Sequence, residues 1–199
     1  MEGLMILMIF FLNHGYHTRS LTNCWQTLKD GLKKQIKKEN RSIMSDHKNI
    51  KYQASTFDNI DGLSKEDNSH LYDLSIEAKN YLLRHQWCKS ILSGWLAVYW
   101  EGIISVFLFE IEPAGNGVDQ FVWIVVGDIP PAYIDVESGT NPRSAMESYV
   151  IIMRNWVEAV LNGEPIEDCY PVEVPATKEY AEMLQSRLDI LDTLIIEEL

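Results

Sequence analysis

Between Ser90 and Pro142 the sequence contains no lysine and no arginine. A stretch of that length without a cation cannot supply the basic face on which phosphate binding depends, which argues against DNA, RNA and anionic lipid as partners. Cysteine is nearly as scarce. Cys24, Cys88 and Cys169 are odd in number, far apart and without a Cys-x-x-Cys pair, so no zinc or dithiol signature is present. Reduced thiols in the cytoplasm are the simplest setting for them. No Walker loop, dinucleotide fingerprint or Gly-x-Ser-x-Gly elbow occurs, and nothing calls for a cofactor or a metal. The chain also lacks an apolar run of the roughly 20 residues that span a bilayer, so stable membrane insertion is not expected. Leu4–Leu12 is too short, and it lacks both the preceding basic residue and the small-residue exit of a signal peptide.

What the chain does have is negative charge, unevenly placed. Residues 1–43 carry Arg19, Lys29, Lys33, Lys34, Lys37, Lys38 and Arg41 against Glu2, Asp30 and Glu39, a net of +4, so the remainder carries −16 of a total of −12. The basic head is read as lying outside the domain. It is either an arm for anionic surfaces or a stretch that precedes a true start at Met44, and the second reading is preferred. Residues 44–68 are polar and turn-rich, an extended lead-in whose order would come from docking Tyr52 and Phe57. Residues 69–199 read as one acidic α+β domain.

Ser69 is placed as the cap of a first helix, in which Leu71, Leu74, Ala78, Tyr81, Leu82 and His85 recur at helical spacing. Trp95–Trp100 fits a strand or a last helical turn equally well. Gly102–Glu112 is the clearest strand, with Phe107, Phe109 and Ile111 buried and Leu108, Glu110 and Glu112 reaching water. After a turn at Asn116-Gly117, Phe121–Val126 returns as the other half of a hairpin. This second strand is apolar on both faces, so helices or another subunit must cover both, and a homodimer would serve. Gly127-Asp128-Ile129-Pro130-Pro131 is expected to end the sheet. Asn141 caps a helix that opens on Pro142 and closes at Asn162-Gly163, and a last helix begins near Thr177. The expected architecture is a small antiparallel sheet around a central hairpin, packed by one N-terminal and two C-terminal helices.

The run Trp123-Ile124-Val125-Val126-Gly127-Asp128-Ile129-Pro130, followed by Asn141-Pro142-Arg143-Ser144-Ala145-Met146, resembles a group of uncharacterised bacterial domains. They share a hydrophobic strand, Gly-Asp-aliphatic-Pro, and a helix that opens on Pro-Arg. The resemblance extends more weakly from Trp87 to Leu191 and excludes everything before Met44. It implies no known activity.

Three groups of residues are candidates for function. Asp128 and Arg143, with Trp123 and Tyr133, would form a charged notch at the sheet edge. The plainer reading is an Asp that holds the Pro-Pro turn, assisted by an ion pair to Arg143. His85 and Cys88, three apart on the first helix, could pair as base and thiolate in a small hydrolase, though a buried inert thiol is the commoner state of such a cysteine. Glu110, Glu112 and Asp119 mark an acidic face that would attract a basic protein. That last reading is favoured. The chain is expected to be a non-enzymatic, protein-binding factor of immunity or regulatory type, with a hydrolase at Cys88/His85 or Asp128/Arg143 as the alternative.

Overall fold

Five strands lie in sequence order across a single antiparallel sheet: β1 (Asp58–Asn59), β2 (Cys88–Trp100), β3 (Ile104–Pro113), β4 (Phe121–Gly127) and β5 (Ile129–Asp135). Helix α1 (Ser69–Leu83) is inserted between β1 and β2, while α2 (Pro142–Asn162) and α3 (Lys178–Glu198) follow the sheet. The structure is a computed structural model that describes residue 50 and residues 53–115 and 117–199. The expectations for the basic head, Met44, Tyr52 and Asn116 lie outside those residues.

The architecture is the expected α+β arrangement, with the β3–β4 hairpin at its centre. β3 pairs Leu108 with Trp123 and Val106 with Val125 in an unbroken register. Because side chains alternate along a strand, this register sends Ile104, Val106, Leu108, Trp123 and Val125 to one face and Phe107, Phe109, Ile111, Val122 and Ile124 to the other. Each set has its own core. The first packs with Met146, Tyr149, Met153 and Trp156 of α2 and with Ala181, Leu184, Leu188 and Leu191 of α3. The second packs with Leu71, Leu74, Ala78 and Leu82 of α1. Helices therefore cover both faces.

That arrangement corrects the reading of β3, whose Leu108 does not reach water but is fully buried. Only Glu110, Glu112 and Pro113, at the end of the strand, stay partly exposed. Alternation of polar and apolar residues marks a half-buried strand, yet in β3 it begins only where the strand leaves the cover of α2 and α3.

Three further boundaries differ from expectation. Asn68, not Ser69, caps α1, its side chain accepting the Leu71 amide at 2.9 Å. The helix stops at Leu83, and a turn through His85 carries the chain into β2, so His85 and Cys88 share no helix. Trp95–Trp100 is strand, paired to β3 from Leu108 to Ile104. Finally, Gly127–Pro131 does not end the sheet, because β5 runs through both prolines. β5 is an edge strand, where a residue without an amide hydrogen is tolerated if that position faces away from the ladder. The α2 boundaries are as expected: Asn141 and Ser144 form a reciprocal capping box, and Gly163 closes the helix in the left-handed conformation at φ 69°. Thr177 caps α3.

Candidate functional site

At the β5 edge an open cleft of about 480 Å³ lies between α1, the β4–β5 turn and α3. Glu77, Tyr81 and Arg84 line it from α1, Gly127–Pro131 from the sheet, Glu173 and Val174 from the crossing segment, and Tyr180, Met183, Leu184 and Arg187 from α3. A smaller hollow of about 100 Å³, lined by Ile103, Ile129, Ile190 and Leu191, continues beyond Arg187 and Asp128. These two residues stand between the depressions. Arg187 donates through Nε to the Asp128 carbonyl at 2.8 Å and through Nη2 to the Asp128 carboxylate at 2.7 Å. The Asp128 amide in turn donates to the Ile103 carbonyl at 3.0 Å. One residue thus ties the β2–β3 turn, the β4–β5 turn and α3 together, which is a mechanical account of the Gly-Asp-aliphatic-Pro run.

The wall of the cleft behind β5 is aromatic. The Tyr170 hydroxyl lies 2.8 Å from that of Tyr81 and accepts the Tyr133 amide at 3.0 Å. Burial pushes the pKa of both Tyr81 and Tyr170 up, so both stay protonated. His85 is stacked on Trp87 with ring centroids 5.1 Å apart, and Tyr81 and Tyr133 meet it edge-on at 5.0 Å each. Its Nε2 is buried without a hydrogen-bond partner. Burial lowers the His85 pKa, and the neighbouring Arg84 charge adds to the effect. The ring is therefore neutral in the fold at pH 7 and binds a proton more readily in the unfolded chain. Stability from this source is present above the unfolded value, near pH 6.5, and is lost as pH falls through the lower folded value. A melting-temperature series from pH 7.5 downward is expected to show a decline beginning near pH 6.5 that His85→Gln reduces, before the carboxylates titrate near their own, lower values.

The residues singled out from sequence do not assemble into one notch. Trp123 is fully buried against the α2 and α3 side of the sheet, and its indole N–H donates to the Gly139 carbonyl at 2.6 Å. Tyr133 packs on the opposite side, beside α1. Arg143 pairs with Glu147 one turn along α2 at 2.9 Å, and Asp128 pairs with Arg187 instead. The expected Asp128–Arg143 pair is thus corrected: α3 returns along the sheet edge and delivers its own cation to the turn. Glu110 accepts from Gln120 at 2.8 Å, and Glu112 is held by Lys89 and Ser90. Lys89 stands one residue before the cation-free stretch, which is why the sequence left Glu112 without a counter-charge. Asp119 lies in the β3–β4 connection.

Cys88 begins β2 with a buried thiol whose one hydrogen bond is a long 3.9 Å contact to the Ser90 carbonyl. Burial raises its pKa, the opposite of what an attacking thiolate needs. In a thiol-labelling time course Cys88 is expected to react only on unfolding, more slowly than the half-exposed Cys169, and Cys88→Ala is expected to leave partner binding intact. Rapid labelling of native Cys88 would reopen the hydrolase alternative. Among the described residues no group of three His, Cys, Asp or Glu side chains could hold a metal ion.

Neither Arg187 and Tyr81 as cleft residues nor Tyr170 behind them is anticipated by the sequence reading. The one sequence signal was Arg187, which stands in line with Tyr180, Met183 and Ile190 on the outer face of α3, where a cation interrupts an apolar row.

The family model described as "Domain of unknown function (DUF4826)" matches residues 70–198, which takes in the hairpin, the Gly-Asp-aliphatic-Pro turn and, but for Ser69, helices α1 to α3. Among curated proteins and solved structures, none matches this chain. On the strength of the family match, the chain belongs to the DUF4826 domain family.

Proposed function

We propose that this protein is a non-catalytic binding factor, of immunity or regulatory type, whose partner is a basic protein. The reading is carried by how its cations are used. Seven of the eight basic residues among those described, Lys65, Arg84, Lys89, Arg143, Arg154, Lys178 and Arg187, lie in ion pairs with carboxylates of the same chain. Arg154 alone bridges Asp189 and Asp192. Among the described residues Asp and Glu far outnumber Lys and Arg, and the net negative field that results steers a positive partner and repels nucleic acid. Two observations weigh against the hydrolase: the Cys88 thiol is buried with a raised pKa and contacts the Ser90 carbonyl, and Asp128 is spent on holding α3. Among the described residues no helix is long and apolar enough to cross a membrane. Cys88 and Cys169 stand unpaired, which supports a cytoplasmic setting.

The test is capture from host lysate, with wild type and with a variant in which Glu110 and Asp119 are replaced by Lys. Glu112 is left in place so that Lys89 keeps its partner. The expected result is a basic protein whose capture declines as salt approaches about 1 M, where the Debye length is about 3 Å, and whose association with the variant is slower. Capture indifferent to both salt and charge reversal would overturn the reading.

A further inference from the structure

Among the described residues, four exposed apolar side chains gather around one cleft. Val174, Tyr180 and Met183 line the cleft, and Ile190 lines the hollow that continues it, with exposures of 38%, 42%, 51% and 53%. Along α3 the row from Tyr180 to Ile190 spans about 15 Å, or nearly three helical turns at about 1.5 Å per residue. An exposed apolar row of this kind, rimmed by charge, marks an interaction surface. Its rim carries three carboxylates, Glu77, Asp128 and Glu173, against Arg84 and Arg187, which leaves it net negative by one charge with Glu77 outside those ion pairs. Glu173 is held by Arg84 at 3.3 Å, in a pair so exposed on both sides that an incoming cation can compete for it.

The edge of β5 excludes one class of occupant. Strand addition needs outward amides, but Pro131 has none and the Tyr133 amide is taken by Tyr170. A partner must therefore bind through side chains. We infer that the cleft between α1, β5 and α3 is the seat of an amphipathic basic helix of the partner, with apolar side chains over Val174, Tyr180, Met183 and Ile190 and Lys or Arg toward Glu77 and Glu173. This rests on the proposed basic partner and says where and in what form it docks.

The test uses the full chain and three synthetic peptides of about 18 residues, or five turns: a Leu/Lys helix with one apolar stripe, its Leu/Glu counterpart, and a Leu/Lys scramble without a stripe. Binding is followed by fluorescence anisotropy and mapped by amide chemical shifts. The Leu/Lys helix is expected to bind with shifts centred on Glu77, Val174, Tyr180 and Met183, and the other two peptides at least about tenfold more weakly. Replacing Met183 and Ile190 by Ser, both exposed positions, is expected to weaken binding about tenfold while the melting temperature holds. Equal binding of the scramble, shifts spread over the whole acidic surface, or an affinity unmoved by the double variant would each overturn the inference. So would concentration-dependent shifts of these residues without peptide, which would give the cleft to a second copy. If lysate capture still responds to salt and charge reversal but not to the double variant, the cleft is wrong and the basic partner stands. If the peptide seats in the cleft while the captured protein is not basic, the proposed function is wrong instead.

Discussion

Trp123→Ala is expected to destabilise the domain by about 3–5 kcal/mol, the range for removing a fully buried large aromatic. The indole is completely buried between β4, α2 and α3 and touches Phe57 edge-on, with centroids 6.1 Å apart. Its N–H also satisfies the Gly139 carbonyl in the β5–α2 connection. Truncation therefore opens a cavity and orphans an acceptor. Trp123→Phe shrinks the cavity while still orphaning the acceptor, and is expected to cost less, about 1–3 kcal/mol. Urea unfolding checks both, and a midpoint unchanged by Trp123→Ala would place this residue on a binding face after all.

Gly127→Ala is expected to cost about 3 kcal/mol or more, the sum of backbone strain and overpacking. Gly127 has φ 145°, a conformation that side chains rarely adopt, and an added Cβ would press on the Ile103 carbonyl and lie 2.8 Å from the Ile104 Cα. The close approach has a purpose in the fold. It lets the Asp128 amide bond to Ile103 and presents the Asp128 carbonyl and carboxylate to Arg187. Gly62→Ala is the control, because nothing lies within 4 Å of a Cβ there, and it is expected to shift the urea midpoint little. If Gly127→Ala melted like Gly62→Ala, the Gly-Asp turn would not be the joint described above.

The identity of most elements follows from local chemistry. Asn141-Pro142 and Asn162-Gly163 bracket α2 because capping and the left-handed stop are made within a few residues. The β3–β4 hairpin follows from two apolar runs on either side of a glycine-rich turn, and the double-sided burial of β4 was already implied by its lack of polar residues. Long-range geometry accounts for what was not foreseen. Leu108 looked solvent-facing because neighbouring glutamates share its alternation, but whether a helix lies above it depends on where α2 and α3 pack. Pro130 and Pro131 looked like the end of the sheet because the sequence does not say that β5 is an edge.

The same division runs through the candidate site. The acidity of the domain, the want of a catalytic signature and two of the elements that carry the cleft, α1 and α3, are legible in the order of residues alone, whereas β5 is not. That Asp128 meets Arg187, 59 residues away, rather than Arg143, follows from how the segments pack. The same packing sets Tyr170 over the β5 edge and lines up Tyr180, Met183 and Ile190 beside the β4–β5 turn. Charge is a property of composition and is legible in any order of residues. Ion pairs and clefts form between segments brought together by the burial of two separate cores, and their partners are fixed by that packing.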